Sequence, residues 1–160
     1  MNNEKDNVYD LVEDFYAHDE GWNTLLRQEY AEGFLRMEAW KGKKNSDLYR
    51  SWDNLTMLCL YLGSAETFLG DMNADDFIDC IAWCGRNISE FTPDYKNTQD
   101  FLETCDGLFK YLKGKNAISN DTVPATAAEI LLQEGKMNII LPDGSFDEAN
   151  AERAWKIGRA

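Results

Sequence analysis

The stretch FLETCDGLFKYL, residues 101–112, places Phe101, Leu102, Cys105, Leu108, Phe109 and Leu112 at helical spacing on one side. An apolar stripe of that width must be buried against other elements, so the chain around it has to supply matching surface. The spacing predicts a helix from about Tyr95 to Lys113, halted by Gly114 and Asn116. Upstream, Leu48, Trp52, Leu55, Cys59 and Leu62 make a second clean stripe, and Phe77, Ile81, Cys84 and Ile88 a third, widened by Ile78 and Trp83. These three helices are the expected partners of one another, and they set the fold class as mainly α.

Further from the centre, the pattern continues in both directions. Val8, Leu11, Val12 and Phe15 define a short first helix that ends near Ala17. Trp22, Leu26, Tyr30, Gly33, Met37 and Trp40 read as one long amphipathic helix packed along its whole length. Asn45 and Ser46 are candidate caps for the helix at 48–62, which ends or bends near Gly63. Asn73 with Asp76 forms a capping-box pattern before Phe77, and Phe91 to Asp94, containing Pro93, is read as the stop of that helix. Thr126 with Glu129 marks another start, leading to Ile130, Leu131 and Leu132. Met137 to Leu141 is strand-like, and Pro142-Asp143-Gly144 suits a type I turn returning through Phe146. Residues 147–157 read as a terminal helix docking Trp155. The expected organisation is therefore a single domain over 1–160: a helical core at 22–118 and an extension at 119–160 carrying a β-hairpin at 137–146.

The chain has 160 residues, 44% of them apolar, which is enough to fill a core. It carries 29 acidic and 16 basic side chains, for a net charge of -13. That balance argues against nonspecific affinity for nucleic acid, which needs cations to neutralise phosphates. The charge is uneven. Residues 66–106 hold ten acids against Arg86 and Lys96, whereas residues 21–50 hold six basic residues against four acids. Arg27, Arg36, Lys41, Lys43, Lys44 and Arg50 are thus the candidate contacts for a phosphate or a partner. The lysines among them also suit the negative end of a helix dipole.

No run is apolar enough to cross a bilayer and no charged-then-apolar leader opens the sequence, so no membrane association and a cytosolic setting are expected. Cys59, Cys80, Cys84 and Cys105 lie within apolar helical patterns, which fits reduced, buried thiols better than a disulfide framework. A structural metal held by those four thiols is the sharper alternative, with Cys80 and Cys84 on one helix face. His18 is the sole histidine, and no Gly-x-Ser-x-Gly elbow is present, so the usual hydrolytic triads have no parts. Asp71, Asp75, Asp76 and Asp79 crowd one helix start without the alternation or closing Glu of a calcium loop. No catalytic residue, metal ligand or cofactor site is assigned.

From Leu48 to Ile118, the segments LYRSWDNLTMLCLYL, NADDFIDCIAWCGRN and FLETCDGLFKYLKGKNAI resemble the helical SAM-like core-binding domain of phage integrases and other tyrosine recombinases. Phe109, Tyr111, Leu112, Lys113, Lys115 and Ile118 follow the order of the last helix in that family. The resemblance implies a SAM-like bundle of about five helices. The strongly acidic 66–106 segment departs from the family's basic DNA clamp, and the chain lacks its arginine-rich catalytic half with a nucleophilic tyrosine. Three readings of function follow. The first is a non-catalytic, acidic, cytosolic helical module that acts on a protein partner. The second is a DNA-associated or DNA-mimicking protein, and the third is a metal-dependent enzyme with a site in the bundle core.

Overall fold

The computed structural model describes residues 7–134 and residue 137. Helices account for the secondary structure in this range, with no strand among the described residues. The expected hairpin at 137–146 and terminal helix at 147–157 lie outside the described residues, apart from Met137, whose side chain is buried. The chain forms two compact units that divide between Leu69 and Gly70.

The first unit contains α1 (Val8–His18), α2 (Trp22–Leu25), α3 (Gln28–Trp40) and α4 (Asn45–Ala65). Asn7 caps α1 by accepting from the Asp10 amide. The buried face of α1 is Val8, Val12 and Tyr16, one position round from the stripe expected, and Leu11 faces out at 41% exposure. The shift is caused by Tyr16, whose hydroxyl is drawn inward to a backbone partner. Phe15 lies at the edge of that face, stacked on Trp22 with ring centres 4.9 Å apart and edge-on to Trp52 at 5.4 Å.

The long helix anticipated over 22–40 is broken. Leu26 is extended (φ -150°, ψ 113°) and so is Arg27 (φ -63°, ψ 140°). The periodicity is continuous through this point, but two side chains compete with the helical ladder. Asn23 Oδ1 accepts from the Gln28 amide at 2.8 Å, and the Tyr16 hydroxyl donates to the Leu26 carbonyl at 2.5 Å. Asn often offers the backbone such an alternative. The break turns Leu26 into the core, where it is 3% exposed.

At its other end α3 closes in a Schellman turn: the Gly42 amide donates to the Ala39 carbonyl, and the Lys43 amide to that of Glu38. Gly42 takes φ 98°, a conformation that glycine adopts without strain. Trp40, expected to pack on the apolar stripe, is instead 89% exposed on this turn. The stripe that α3 does bury is Ala31, Phe34 and Leu35.

α4 starts at Asn45, one residue from the expected caps. The Lys44 amide donates to Asp47 Oδ2 at 3.3 Å. Leu48, Trp52, Leu55, Cys59 and Leu62 are all buried, as their spacing required. The helix passes through Gly63, where Trp22 and Leu25 of α2 lie across it, and stops at Ala65 with Glu66 left-handed at φ 54°.

The second unit contains α5 (Ala74–Asn87), α6 (Tyr95–Gly114) and α7 (Val123–Gln133). The capping box at the start of α5 is present in both directions: the Asp76 amide donates to Asn73 Oδ1 at 2.8 Å and the Asn73 amide to Asp76 Oδ2 at 2.9 Å. α5 ends earlier than Pro93 would demand, with Ile88 already extended. Asp94 caps α6 by accepting from Asn97 at 2.8 Å.

Every member of the 101–112 stripe is buried to within 3% exposure. Phe109 meets Phe77 of α5 edge to face at 5.4 Å. α6 ends in a second Schellman turn, with Asn116 left-handed at φ 60° and the Ala117 amide donating to Leu112. α7 begins at Val123, three residues before the Thr126 start expected. Pro124 sits in its first turn, where a missing amide costs nothing, and Thr126 lies inside the helix with its hydroxyl donating back to the Thr122 carbonyl.

Candidate interaction surface

A groove of about 350 Å³ lies between α6 and α7 in the second unit. Its α6 wall carries Tyr95, Gln99, Leu102, Glu103 and Asp106, and its α7 wall Pro124, Ala125, Ala128, Glu129 and Leu132. Each set recurs at three and four residues, so each wall is one helix face. The small side chains of Ala125 and Ala128 leave the space between the helices, and Met137 lines it as well. Leu132 and Tyr95 stay 52% and 48% exposed, an amphipathic surface that nothing among the described residues covers.

Three carboxylates border this apolar strip. Asp106 reaches Lys110 through Oδ2 at 2.5 Å, while its Oδ1 is buried without a hydrogen-bond partner among the described residues. Glu103 and Glu129 are exposed and form no ion pair among the described residues. The groove therefore presents apolar surface between acids, which suits a ligand with an apolar centre and cationic flanks.

The six basic residues named from sequence are all exposed in the first unit, but they do not make one patch. Arg27 precedes α3, and Lys41 follows it roughly 20 Å away along the helix axis. Two of the six are held by their own unit. Arg27 pairs with Glu29 and lies over Tyr30 at 5.6 Å, and Arg36 lies over Tyr9 at 4.2 Å. A polar pocket of about 330 Å³ adjoins Arg27, but Glu29 and Glu32 line it as well, which disfavours an anion there. Lys41, Lys43 and Lys44 are together, on the turn that carries Trp40. Arg50 projects from the second turn of α4.

The four cysteines are reduced and buried. Burial pushes the Cys59 thiol up to about 12. Cys80 is raised well above the usual thiol range, first by burial, then by its hydrogen bond with Cys84 and by the neighbouring Cys84, Cys105 and Asp79. Thiols held protonated in this way are poor nucleophiles. Among the described residues, no group of three or more His, Cys, Asp or Glu side chains is placed to hold a metal ion. Tyr16 is likewise held neutral, its phenol raised by burial and then by Cys59 and Glu32. His18 is exposed in the last turn of α1. Asp75 and Asp76 occupy the first turn of α5 as the dipole favours, whereas Asp79 is buried at 2% exposure.

The groove was missed from sequence because the Thr126-Glu129 pattern drew the start of α7 past Pro124 and Ala125. Pro124, two residues after Thr122 and so in the first turn of a helix capped there, is the signal that recovers it. Among the described residues, no helix is long and apolar enough to cross a membrane. No protein-family model, curated protein or solved structure matches the chain.

Proposed function

We propose that the chain is a non-catalytic, acidic helical module of the cytosol that acts by binding another protein chain. The observation that carries this reading is the α6–α7 groove, where Leu132 and Tyr95 remain open between Glu103, Asp106 and Glu129. Clusters of apolar and aromatic side chains rimmed by polar groups are what protein interfaces are built from. The excess of acids over 66–106 adds a field that accelerates encounter with a basic partner.

The test is affinity capture from native cytosol at low salt, with the full chain and with Leu132→Asp as baits. Leu132 is half exposed, so the substitution leaves the core intact. A protein held by the wild type and lost with Leu132→Asp supports the reading. Equal recovery with both baits, or recovery of nothing above background by a chain that also stays monomeric, counts against it.

A further inference from the structure

We propose that the α6–α7 groove of one molecule receives the Trp40–Lys44 turn of a second copy of the same chain; this rests on the protein-binding reading above and names the partner. Trp40 is the last residue of α3 and is 89% exposed, the largest exposure among the big apolar side chains described. Tryptophan in that position is an anchor awaiting a pocket, since aromatic anchors dominate the energetics of interfaces. Its presentation is fixed by the Schellman turn, in which Gly42 and Lys43 donate to the Ala39 and Glu38 carbonyls. A preorganised anchor loses little freedom on docking.

The chemistry of the two surfaces is complementary. The turn offers one indole flanked by Lys41, Lys43 and Lys44, all exposed. The groove offers Leu132 and Ala128 for the indole, with Glu103 and Glu129 exposed beside them and Asp106 in the same wall. The same polarity extends over the surrounding sequence: residues 21–50 carry an excess of bases and residues 66–106 an excess of acids. Opposed charge of this kind sets the encounter rate and orientation, and it makes the association sensitive to salt.

A turn entering a groove uses different surfaces on the two molecules, so the association either closes on itself, as a reciprocal dimer or a ring, or leaves a turn and a groove open and grows. One loop in one groove is a small interface, so the association is weak and depends on concentration.

The experiment is sedimentation velocity on the full chain at low salt over a concentration series, with two surface variants. The turn variant carries Trp40→Ala, Lys43→Glu and Lys44→Glu. The groove variant carries Glu103→Lys, Glu129→Lys and Leu132→Asp. All six positions are exposed, and circular dichroism verifies that each variant is folded. The wild type is expected to gain mass with concentration and to lose it on adding salt, while each variant stays monomeric.

An equimolar mixture of the variants is expected to give dimers and nothing larger, because one supplies only a groove and the other only a turn. A wild type that stays monomeric throughout, variants that associate like the wild type, or a mixture that stays monomeric each overturns the proposal. If the wild type is monomeric yet the groove variant loses a captured cytosolic protein, the groove belongs to a different chain and the protein-binding reading stands. If capture too is unchanged, both fall.

Discussion

Tyr16→Phe isolates one hydroxyl at the point where the expected helix over 22–40 breaks. The Tyr16 hydroxyl donates to the Leu26 carbonyl, and the two residues are 2% and 3% exposed. Phenylalanine keeps the ring against Phe15 and Trp52, so packing is unchanged and only the hydrogen bond is lost. The Leu26 carbonyl is then a buried acceptor without that donor, and its desolvation is uncompensated. Such a group costs about 1–3 kcal/mol, against roughly 1 kcal/mol for the net worth of an average hydrogen bond. The expected loss is therefore about 2 kcal/mol, close to a thirtyfold change in the unfolding equilibrium. Urea unfolding followed by tryptophan fluorescence measures it, with the midpoint moving and the slope unchanged. Tyr9→Phe is the control, because Tyr9 serves Arg36 with its ring face. A loss below about 0.5 kcal/mol for Tyr16→Phe, within the range of ordinary surface changes, refutes the claim that this bond holds the break.

Alkaline pH offers a second test. Cys59 is raised to about 12 and Tyr16 is raised as well, so above the ordinary thiol and phenol values the unfolded chain gives up protons that the folded one keeps. Stability is full below those ordinary values and falls as pH rises, by about 1.4 kcal/mol per pH unit for each such group, from near pH 9 for Cys59 and near pH 10 for Tyr16. Urea midpoints from pH 7 to 11 are expected to decline along that course, and Cys59→Ala to remove the Cys59 share of the part that starts near pH 9, leaving the share of Cys80, whose thiol burial also raises. Gly63→Ala is expected to stabilise by about 0.5–1 kcal/mol in the same assay, because an added Cβ would meet Trp22 and Leu25 only at 3.6 and 3.8 Å, ordinary contact, and alanine favours the helix. A destabilised variant would show that α2 lies closer to α4 than described. Thr98→Val keeps the shape of a fully buried side chain whose hydroxyl has no hydrogen-bond partner among the described residues, so it is expected to be neutral or stabilising by about 1 kcal/mol. A clear loss on thermal or urea unfolding would mean that the hydroxyl is satisfied in solution.

The helices built on apolar spacing were legible. The α4 and α6 stripes and the Asn73-Asp76 box of α5 follow from local rules alone, because their energetics are local: burial of one face and a cap within three residues. Where a partner distant in sequence decides, the local pattern fails. Nothing in the 22–40 stripe reports that Tyr16, ten residues from Leu26, will capture its carbonyl. The start of α7 failed differently. Two start signals were present, Thr126-Glu129 and Thr122 with Pro124, and the proline, which fixes φ and needs no donor in the first turn, prevailed. Of the candidate site, the charges were legible and their grouping was not. Arg27 and Arg36 are spent on Glu29, Tyr30 and Tyr9, which leaves Lys41, Lys43 and Lys44 on one turn and Arg50 apart on α4.

The positions of these failures bear on function. A sequence specifies its fold through agreement between spacing, capping and packing, and departures from that agreement tend to fall where a surface has another use. Two of the departures here are of that kind. Trp40 completes an apolar stripe in sequence, yet the chain ends α3 with a well-formed Schellman turn that holds the indole in water. α7 starts early, and the residues thereby made helical, Pro124 and Ala125, line the groove with Ala128 behind them. The break at Leu26 contrasts with both. It buries an apolar side chain and satisfies a carbonyl, so stability alone explains it. Stability does not explain an exposed tryptophan beside three lysines, nor an open leucine between glutamates. The chemistry of these two surfaces is complementary, which is why the mixture of turn and groove variants, more than either variant alone, decides whether they meet.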